Sequence, residues 1–200
     1  MTGLKAIYVV GPSSTGKTTL CHALATRLGL TSDVFITEVA RTVMKDQNFT
    51  RADVNSLAMQ QAIVTAQVSR DLGARKNLEA SEHTSAHLVL LSDRSAVDAL
   101  VYAALSELEP KSGITETLLS SKEFQGILPY YRSMSSTFVL LHPIPAWLVD
   151  DGVRSLEDGE RCYDMFVTIL KRLEIHFVEV GEDCRWIEER VAFVRRAALV

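Results

Sequence analysis

The nonapeptide GPSSTGKTT, Gly11 to Thr19, restricts the possible folds more than any other stretch of the chain. Before it, Ala6-Ile7-Tyr8-Val9-Val10 reads as a buried strand; after it, the residues from Lys17 onward open a helical pattern. The glycines therefore fall between a strand end and a helix N-terminus, the setting a phosphate loop requires. Gly11 and Gly16 let consecutive backbone N–H groups turn inward around an anion, an approach that side chains would obstruct. Lys17 is spaced to reach β- and γ-phosphates and the Thr18 hydroxyl to ligate Mg²⁺, while the dipole of the following helix adds to the anion field. Ser13, Ser14, Thr15 and Thr19 complete the nucleotide-binding stretch with small side chains. The bland alternative, a glycine turn ahead of a helix with an exposed lysine, needs neither the strand nor the helix context, and both are present.

Along the chain, strands and helices alternate. Leu20, Leu24 and Leu28 share a helix face that Gly29 ends, and residues 34–37 read as a second short buried strand. Glu38 and Arg41 open the next helix, which places them at the carboxyl end of that strand, where open α/β sheets bind ligands. Residues 53–82 predict one long helix or two abutting ones, with Leu57, Ile63, Val64, Val68 and Leu72 as the buried stripe and Gly73 a possible break. Gln60, Gln67 and Asp71 share a face that either lines a substrate cleft or forms a solvated polar surface, the second being the more ordinary outcome. The run 87–94 is a third strand, apolar enough to be covered on both faces, ending in Asp93 and Arg94. An Asp there can hold Mg²⁺ through water or orient a hydroxyl, and an Arg beside it can take phosphate oxygens bidentately; a plain surface ion pair is the competing reading. Ser95 with Asp98 predicts a helix N-cap.

A helix over 96–108 carries Tyr102, two short helices divided near Ser120 and Ser121 follow, and residues 137–141 form a fourth strand ended by His142, read as a satisfied strand-end histidine. The polar, glycine-bearing segment 150–161 offers Arg154 and Arg161 as cations of a cover over the nucleotide, set against a merely solvated charge run. A fifth strand at 176–180 and a closing helix at 186–198 complete the order. The expectation is a three-layer α/β domain around a parallel sheet of about five strands, residues 1–200 forming a single unit. A net charge of −4 with scattered basic residues argues against a polynucleotide partner. The separated Cys21, Cys162 and Cys184 argue against a disulfide framework or zinc site, and the lack of any long apolar run predicts a soluble, intracellular protein.

Four segments, GPSSTGKTTL (11–20), TEVAR (37–41), DRSAVDALVYA (93–103) and DDGVR with the later ER (150–154, 160–161), resemble in order and spacing the P-loop nucleoside-kinase-like proteins. Within that group they are most similar to the NadR-like set of AAA-type ATPase/kinase proteins built on the ribosylnicotinamide kinase domain. The resemblance implies transfer of the γ-phosphate of ATP to a small-molecule hydroxyl, with Mg²⁺ as cofactor. It gives Lys17 and Thr18 their phosphate and metal roles, and Glu38 or Asp93 the acceptor proton or the metal's water shell. Arg41 and Arg94 become acceptor or phosphate contacts, and Arg154 and Arg161 the arginines of a lid; Gln60 joins the substrate contacts from its place on the polar face of the 53–82 helix, not from the resemblance. No adenylyltransferase module is expected, since the kinase-like domain accounts for the 200 residues. The absence of an Asn-Lys-x-Asp signature favours ATP over GTP.

Two other readings compete. A nucleotide-dependent regulatory protein needs a responsive loop and a partner surface more than an acceptor pocket. A nucleotide hydrolase needs a residue to position water, for which Gln60 and Gln61 are weak candidates.

Overall fold

The computed structural model describes residues 3–54, 56–80, 88–107, 113–144 and 156–200, leaving aside the side chains of 51 and 156–158. Its five strands are β1 (Leu4–Val10), β2 (Phe35–Ile36), β3 (Leu88–Asp93), β4 (Ser136–Leu141) and β5 (Phe177–Val180). They form one parallel sheet in the order β2-β3-β1-β4-β5. The helices are α1 (Lys17–Leu28), α2 (Val39–Asp46), α3 (Leu57–Ala80), α4 (Ala96–Ser106), α5 (Ile114–Leu119), α6 (Lys122–Tyr131), α7 (Leu156–Arg172) and α8 (Ile187–Ala198). None of the described helices is long and apolar enough to cross a membrane.

β1 shows why the sheet lies between two layers. Successive side chains of a strand point to opposite faces, and every residue from Ala6 to Val10 is buried. Ala6, Tyr8 and Val10 join the core that contains Val64, Leu100, Ile127 and Phe166 of the helices on one face. Ile7 and Val9 join Leu20 and Leu24 of α1 and Val194 of α8 on the other. A strand that is apolar on both faces is stable only in this covered position, which explains its place at the sheet centre.

α3 runs without interruption through Gly73. A mid-helix glycine costs about 1 kcal/mol, and burial of Met59, Ile63, Val64, Val68, Ala74 and Leu78 along the helix outweighs it. The expected stripe needs one correction. Leu72 is exposed, and the polar Asp71 and Arg75 take the inward positions beside it. Asp71 thus lies neither on a solvated face nor in a cleft. It accepts a hydrogen bond from the Tyr8 hydroxyl at 2.6 Å and another from Arg75 Nε at 2.6 Å, while Arg75 Nη2 donates to the Tyr8 oxygen at 2.7 Å. The Tyr8 ring packs on Tyr131 and Phe138, with centroids 4.9 and 4.7 Å away, and the Arg75 guanidinium lies 4.6 Å from the Tyr130 centroid. Burial raises the Asp71 carboxyl above its ordinary range, against the pull of Arg75 and Tyr8.

The remaining helices begin and end close to where the sequence places them. Ser95 caps α4: its hydroxyl accepts from Val97 N–H at 3.2 Å, and Asp98 Oδ2 accepts from Ser95 N–H at 2.9 Å. α5 and α6 divide at Ser120 and Ser121.

Removing one member of a buried ion pair strands the other. Asp71→Ala is therefore expected to destabilise the fold by about 3–5 kcal/mol in chemical denaturation. Combining it with Arg75→Met is expected to recover a large part of that loss.

Candidate functional site

The loop between β1 and α1 rests on the end of β4. A Cβ added to Gly11, whose φ is +137°, would lie 2.8 Å from the Leu141 carbonyl oxygen, so only glycine fits there. Ser14 and Gly16 also have positive φ, 63° and 84°, and such left-handed turns give the backbone the concave form of an anion nest. The Thr15 hydroxyl donates to Pro12 O at 2.9 Å and closes the loop on itself. Ser14, Gly16, Thr18 and Thr19 are exposed on its open side, Ser13 is half-buried and Lys17 is buried.

Lys17 folds back over the loop. Its Nζ donates to Gly11 O at 2.9 Å, to Pro12 O, and more weakly to Thr15 Oγ1 at 3.5 Å. Burial and then the nearby Arg94 charge lower its ammonium from 10.5 to about 8, despite Asp98 and Asp93. One residue on, the Thr18 hydroxyl donates to Asp93 Oδ2 at 2.6 Å. Register explains that meeting: Val9 pairs with Asp93, so the end of β3 lies beside the start of the loop. Asp93 is buried, and its Oδ1 has no hydrogen-bond partner among the described residues.

Arg94 leaves β3 with φ +87°, a rare value for a side-chain-bearing residue, and its N–H is held by Val9 O at 3.0 Å. This turn points the guanidinium across to α2. Its Nη2 lies 3.1 Å and its Nε 3.2 Å from Glu38 Oε1, and its Nη1 donates to Asp98 Oδ1 at 3.3 Å. The other Glu38 oxygen takes the exposed Arg41 at 2.8 Å. Burial opposes the Arg94 charge, but Asp98, Tyr102 and Glu38 outweigh it and hold the guanidinium above its ordinary range. Asp93 and Arg94 are therefore not a surface ion pair with each other: each is engaged elsewhere. Thr37 and Val39, on either side of Glu38, line an open groove of about 620 Å³ between α2 and α3.

Gln67 and Gln60 are buried, contrary to a solvated polar face. Gln67 Nε2 donates to Ser92 Oγ at 3.0 Å and, at 3.5 Å, to Arg94 O, bracing the end of β3. Gln60 Nε2 donates to Val54 O at 2.7 Å, and its Oε1 has no partner among the described residues. Arg161 is exposed on α7, and Arg154 lies outside the described residues. His142 is a satisfied strand-end residue: its Nε2 is 2.7 Å from the Tyr163 hydroxyl and 3.1 Å from Glu179 Oε2.

Two residues at the loop were given no role by sequence reasoning. The Tyr102 hydroxyl lies 3.4 Å from Ser13 Oγ and also touches Arg94. Arg190 of α8 is buried, with Nε donating to Cys184 O at 2.8 Å and Nη1 to Thr15 O at 3.5 Å. The DRSAVDALVYA segment already contained Tyr102, whereas Arg190 stands 175 positions from Thr15 in an amphipathic helix and gave no signal.

A family model described as an AAA domain matches residues 6–190. No curated protein sequence matches the chain. Among solved structures, a NadR protein in complex with NR superposes with a TM-score of 0.64 at 20% identity, covering 98% of this chain and 52% of that one. A NadR protein in complex with NAD and AMP-PNP gives 0.65 at 18% identity, covering 98% and 50%. The deoxyadenosine kinase from M. mycoides, with products dCMP and a flexible dCDP bound, gives 0.56 at 11% identity, covering 96% and 97%. These likenesses establish a shared α/β P-loop kinase fold. The chain spans about half the length of the two NadR chains.

Lys17 gives the site a pH signature. Its folded value near 8 lies below the 10.5 of an unperturbed lysine, so between those limits the unfolded chain binds more protons and stability rises with pH. The penalty is complete below pH 8, amounts to about 3 kcal/mol, and is relieved by the upper limit. Denaturation of the nucleotide-free protein and of Lys17→Met from pH 7 to 10.5 is expected to show the gap between them moving by that amount in favour of the wild type. A gap independent of pH would mean that the Lys17 charge is fully compensated.

Proposed function

The chain belongs to the AAA-domain family, and from that premise we propose that it is an ATP- and Mg²⁺-dependent small-molecule kinase. It moves the γ-phosphate of ATP to a hydroxyl of a nucleoside-like acceptor, for example a nicotinamide riboside-like compound. The observation that carries this reading is one sheet edge holding a phosphate loop, with Thr18 on Asp93, next to a carboxylate clamped by two arginines, Glu38 between Arg41 and Arg94. A structure that only binds nucleotide has no need of the second cluster. The fold is shared with a NadR protein in complex with NR and with a deoxyadenosine kinase, which supports an acceptor of this size.

In the reaction we propose, the acceptor oxygen forms a bond to Pγ as the bond from Pγ to the ADP oxygen breaks, and the hydroxyl proton passes to Glu38. Asp93 is assigned to the metal side because its Oδ2 accepts from the Thr18 hydroxyl of the phosphate loop, whereas Glu38 lies at the end of β2, on the far side of Arg94. Lys17 exchanges its loop carbonyls for the β- and γ-phosphate oxygens, which restores a counter-charge to a buried cation. Arg94 and Arg41 hold the acceptor and the transferred group, with Gln60 on the acceptor side and the exposed Arg161 as a further cation toward the phosphoryl oxygens. Magnesium fits this donor set: Asp93 Oδ1 is a buried carboxylate oxygen without a hydrogen-bond partner among the described residues, next to the Thr18 hydroxyl. Thr18 would hold the ion directly and Asp93 through water. When bound, it neutralises charge on the phosphates.

The test is ADP release with Mg²⁺ across nucleosides, nicotinamide riboside and nucleoside monophosphates, for wild type and Lys17→Ala. Acceptor-stimulated release that disappears in the variant is expected. Glu38→Gln is expected to lower kcat by about 10²–10⁴-fold with ATP binding intact, and Asp93→Asn to raise the Mg²⁺ requirement. ATP binding without stimulation by any acceptor would favour a nucleotide-dependent regulatory protein instead.

A further inference from the structure

α4 buries an apolar face that includes Val97, Leu100, Val101 and Ala103. Tyr102 is half-buried beside it, packed against the same core. Packing there needs only the ring, and the polar tip of a tyrosine at a core boundary ordinarily turns to water. The Tyr102 hydroxyl instead meets side chains from three other parts of the chain. Ser13 Oγ of the phosphate loop lies 3.4 Å away. The Arg94 guanidinium, at the end of β3, donates to it, and the Cys162 thiol of α7 is hydrogen-bonded to it. Burial pushes that thiol up to about 11, so it meets the hydroxyl as a neutral group. A hydroxyl offers one hydrogen and two lone pairs, so all three contacts can be satisfied at once.

Two of the contacts bear on the geometry of phosphoryl transfer. Asp98 and Tyr102 stand four residues apart on one face of α4, and both hold Arg94. Glu38 at the end of β2 and Asp98 on α4 together fix an axis through the guanidinium. A third partner limits rotation about that axis. Glu38 depends on the outcome, since its Oε1 lies 3.1 Å from Arg94 Nη2 and 3.2 Å from Nε. The third contact, Ser13, belongs to the loop that would hold the triphosphate.

Pairing of β1 with β3 sets the backbone of Asp93 beside Val9. It does not set the direction of a long side chain beyond the strand end. Tyr102 touches both the loop and the guanidinium, and so links the phosphate nest to the Glu38 cluster through side chains. The reacting atoms must come within about 3–3.5 Å of each other, and a misplacement of about 1 Å costs about 10²-fold in rate.

We propose that Tyr102 is a positioning residue of the transfer step: through its hydroxyl it holds Arg94, and with it Glu38, at a fixed offset from the phosphate loop at Ser13. This rests on the kinase reading above and adds to it a residue that acts through Arg94 on the rate of transfer. The loop amides and Lys17, which would bind the phosphates, do not rely on the Tyr102 hydroxyl, so nucleotide affinity is set without it.

Tyr102→Phe keeps the ring and removes the hydroxyl alone. With Mg²⁺-ATP and nucleosides, nicotinamide riboside and nucleoside monophosphates as acceptors, it is expected to lower kcat for acceptor-stimulated ADP release by about 10–10²-fold. Calorimetric binding of Mg²⁺ with the non-hydrolysable analogue AMP-PNP is expected to change less than about twofold, which also shows that the variant is folded. A tyrosine that served packing alone would lose affinity and turnover together, or neither. Action through Arg94 is checked in an Arg94→Lys background, where the same substitution is expected to lower kcat by less than about twofold, because coupled residues are not additive. Unchanged kcat in Tyr102→Phe, a parallel loss of AMP-PNP affinity, or an equal fall of kcat in both backgrounds would overturn the positioning role alone. Wild-type protein that binds AMP-PNP but releases no ADP in response to any acceptor would overturn the kinase reading and this proposal with it.

Discussion

The absence of one side chain allows the whole site to form. Gly11 lets the chain pass within van der Waals distance of Leu141 at the end of β4, and a methyl group there would have to displace backbone. With the loop seated on β4 and β1 paired with β3 on the other flank, three segments far apart in sequence meet at one point. Thr18 then reaches Asp93, and Arg94 is held by Val9. A displacement of the loop by the width of a methyl group is enough to lose a 2.6 Å hydrogen bond, since such bonds weaken steeply with distance.

The electrostatics of the site are unbalanced in an informative way. Three cations, Lys17, Arg94 and Arg190, are buried or nearly so around the loop. Arg94 has two carboxylates, but the Lys17 nitrogen is paired with carbonyl oxygens and a hydroxyl. A buried ammonium with dipoles in place of a counter-anion is a costly arrangement, and its lowered pKa expresses that cost. The phosphates of a nucleotide would supply the missing counter-anion, and part of the cost of burying the Lys17 charge would then convert into affinity for an anion. The acids are distributed to a different end. Asp98 is consumed by the helix cap and Arg94, and Asp93 Oδ2 by Thr18, while Glu38 stays at the solvent boundary between Arg41 and Arg94.

Elements whose signal is local could be read from the sequence. The phosphate loop, the strand ending in Asp93 and Arg94, the Ser95 cap and the Gly29 helix stop each depend on residues within a few positions of one another, so pattern and chemistry agree. Errors arose where tertiary contacts overrule pattern. Periodicity put Leu72 inside and left Asp71 to solvent or a cleft, because a hydropathy pattern has no knowledge that Tyr8, 63 positions earlier, offers a hydroxyl. The same applies to Gln67, whose partner is the Ser92 hydroxyl on a neighbouring strand. Arg190 was illegible for the strongest form of this reason, its partner being at the other end of the chain.

These non-local contacts connect the core to the chemistry in a way that pattern could not suggest. Tyr8 lies on the strand that leads into the phosphate loop, and its hydroxyl grips Asp71 on α3. One turn earlier on α3, Gln67 holds Ser92 and the Arg94 carbonyl, the two residues that flank Asp93. The positions of Asp93 and Arg94 relative to the loop are thus set twice, once by the direct pairing of β1 with β3 and once through α3. A buried polar network adds little net stability over an apolar one of the same volume, but it accepts few alternative registers. Its value here lies in geometry. A helix free to slide by one turn would still bury its leucines and valines, yet it would carry Gln67 away from the end of β3 and leave the Arg94 turn, with its positive φ, without the support that such strained backbone needs.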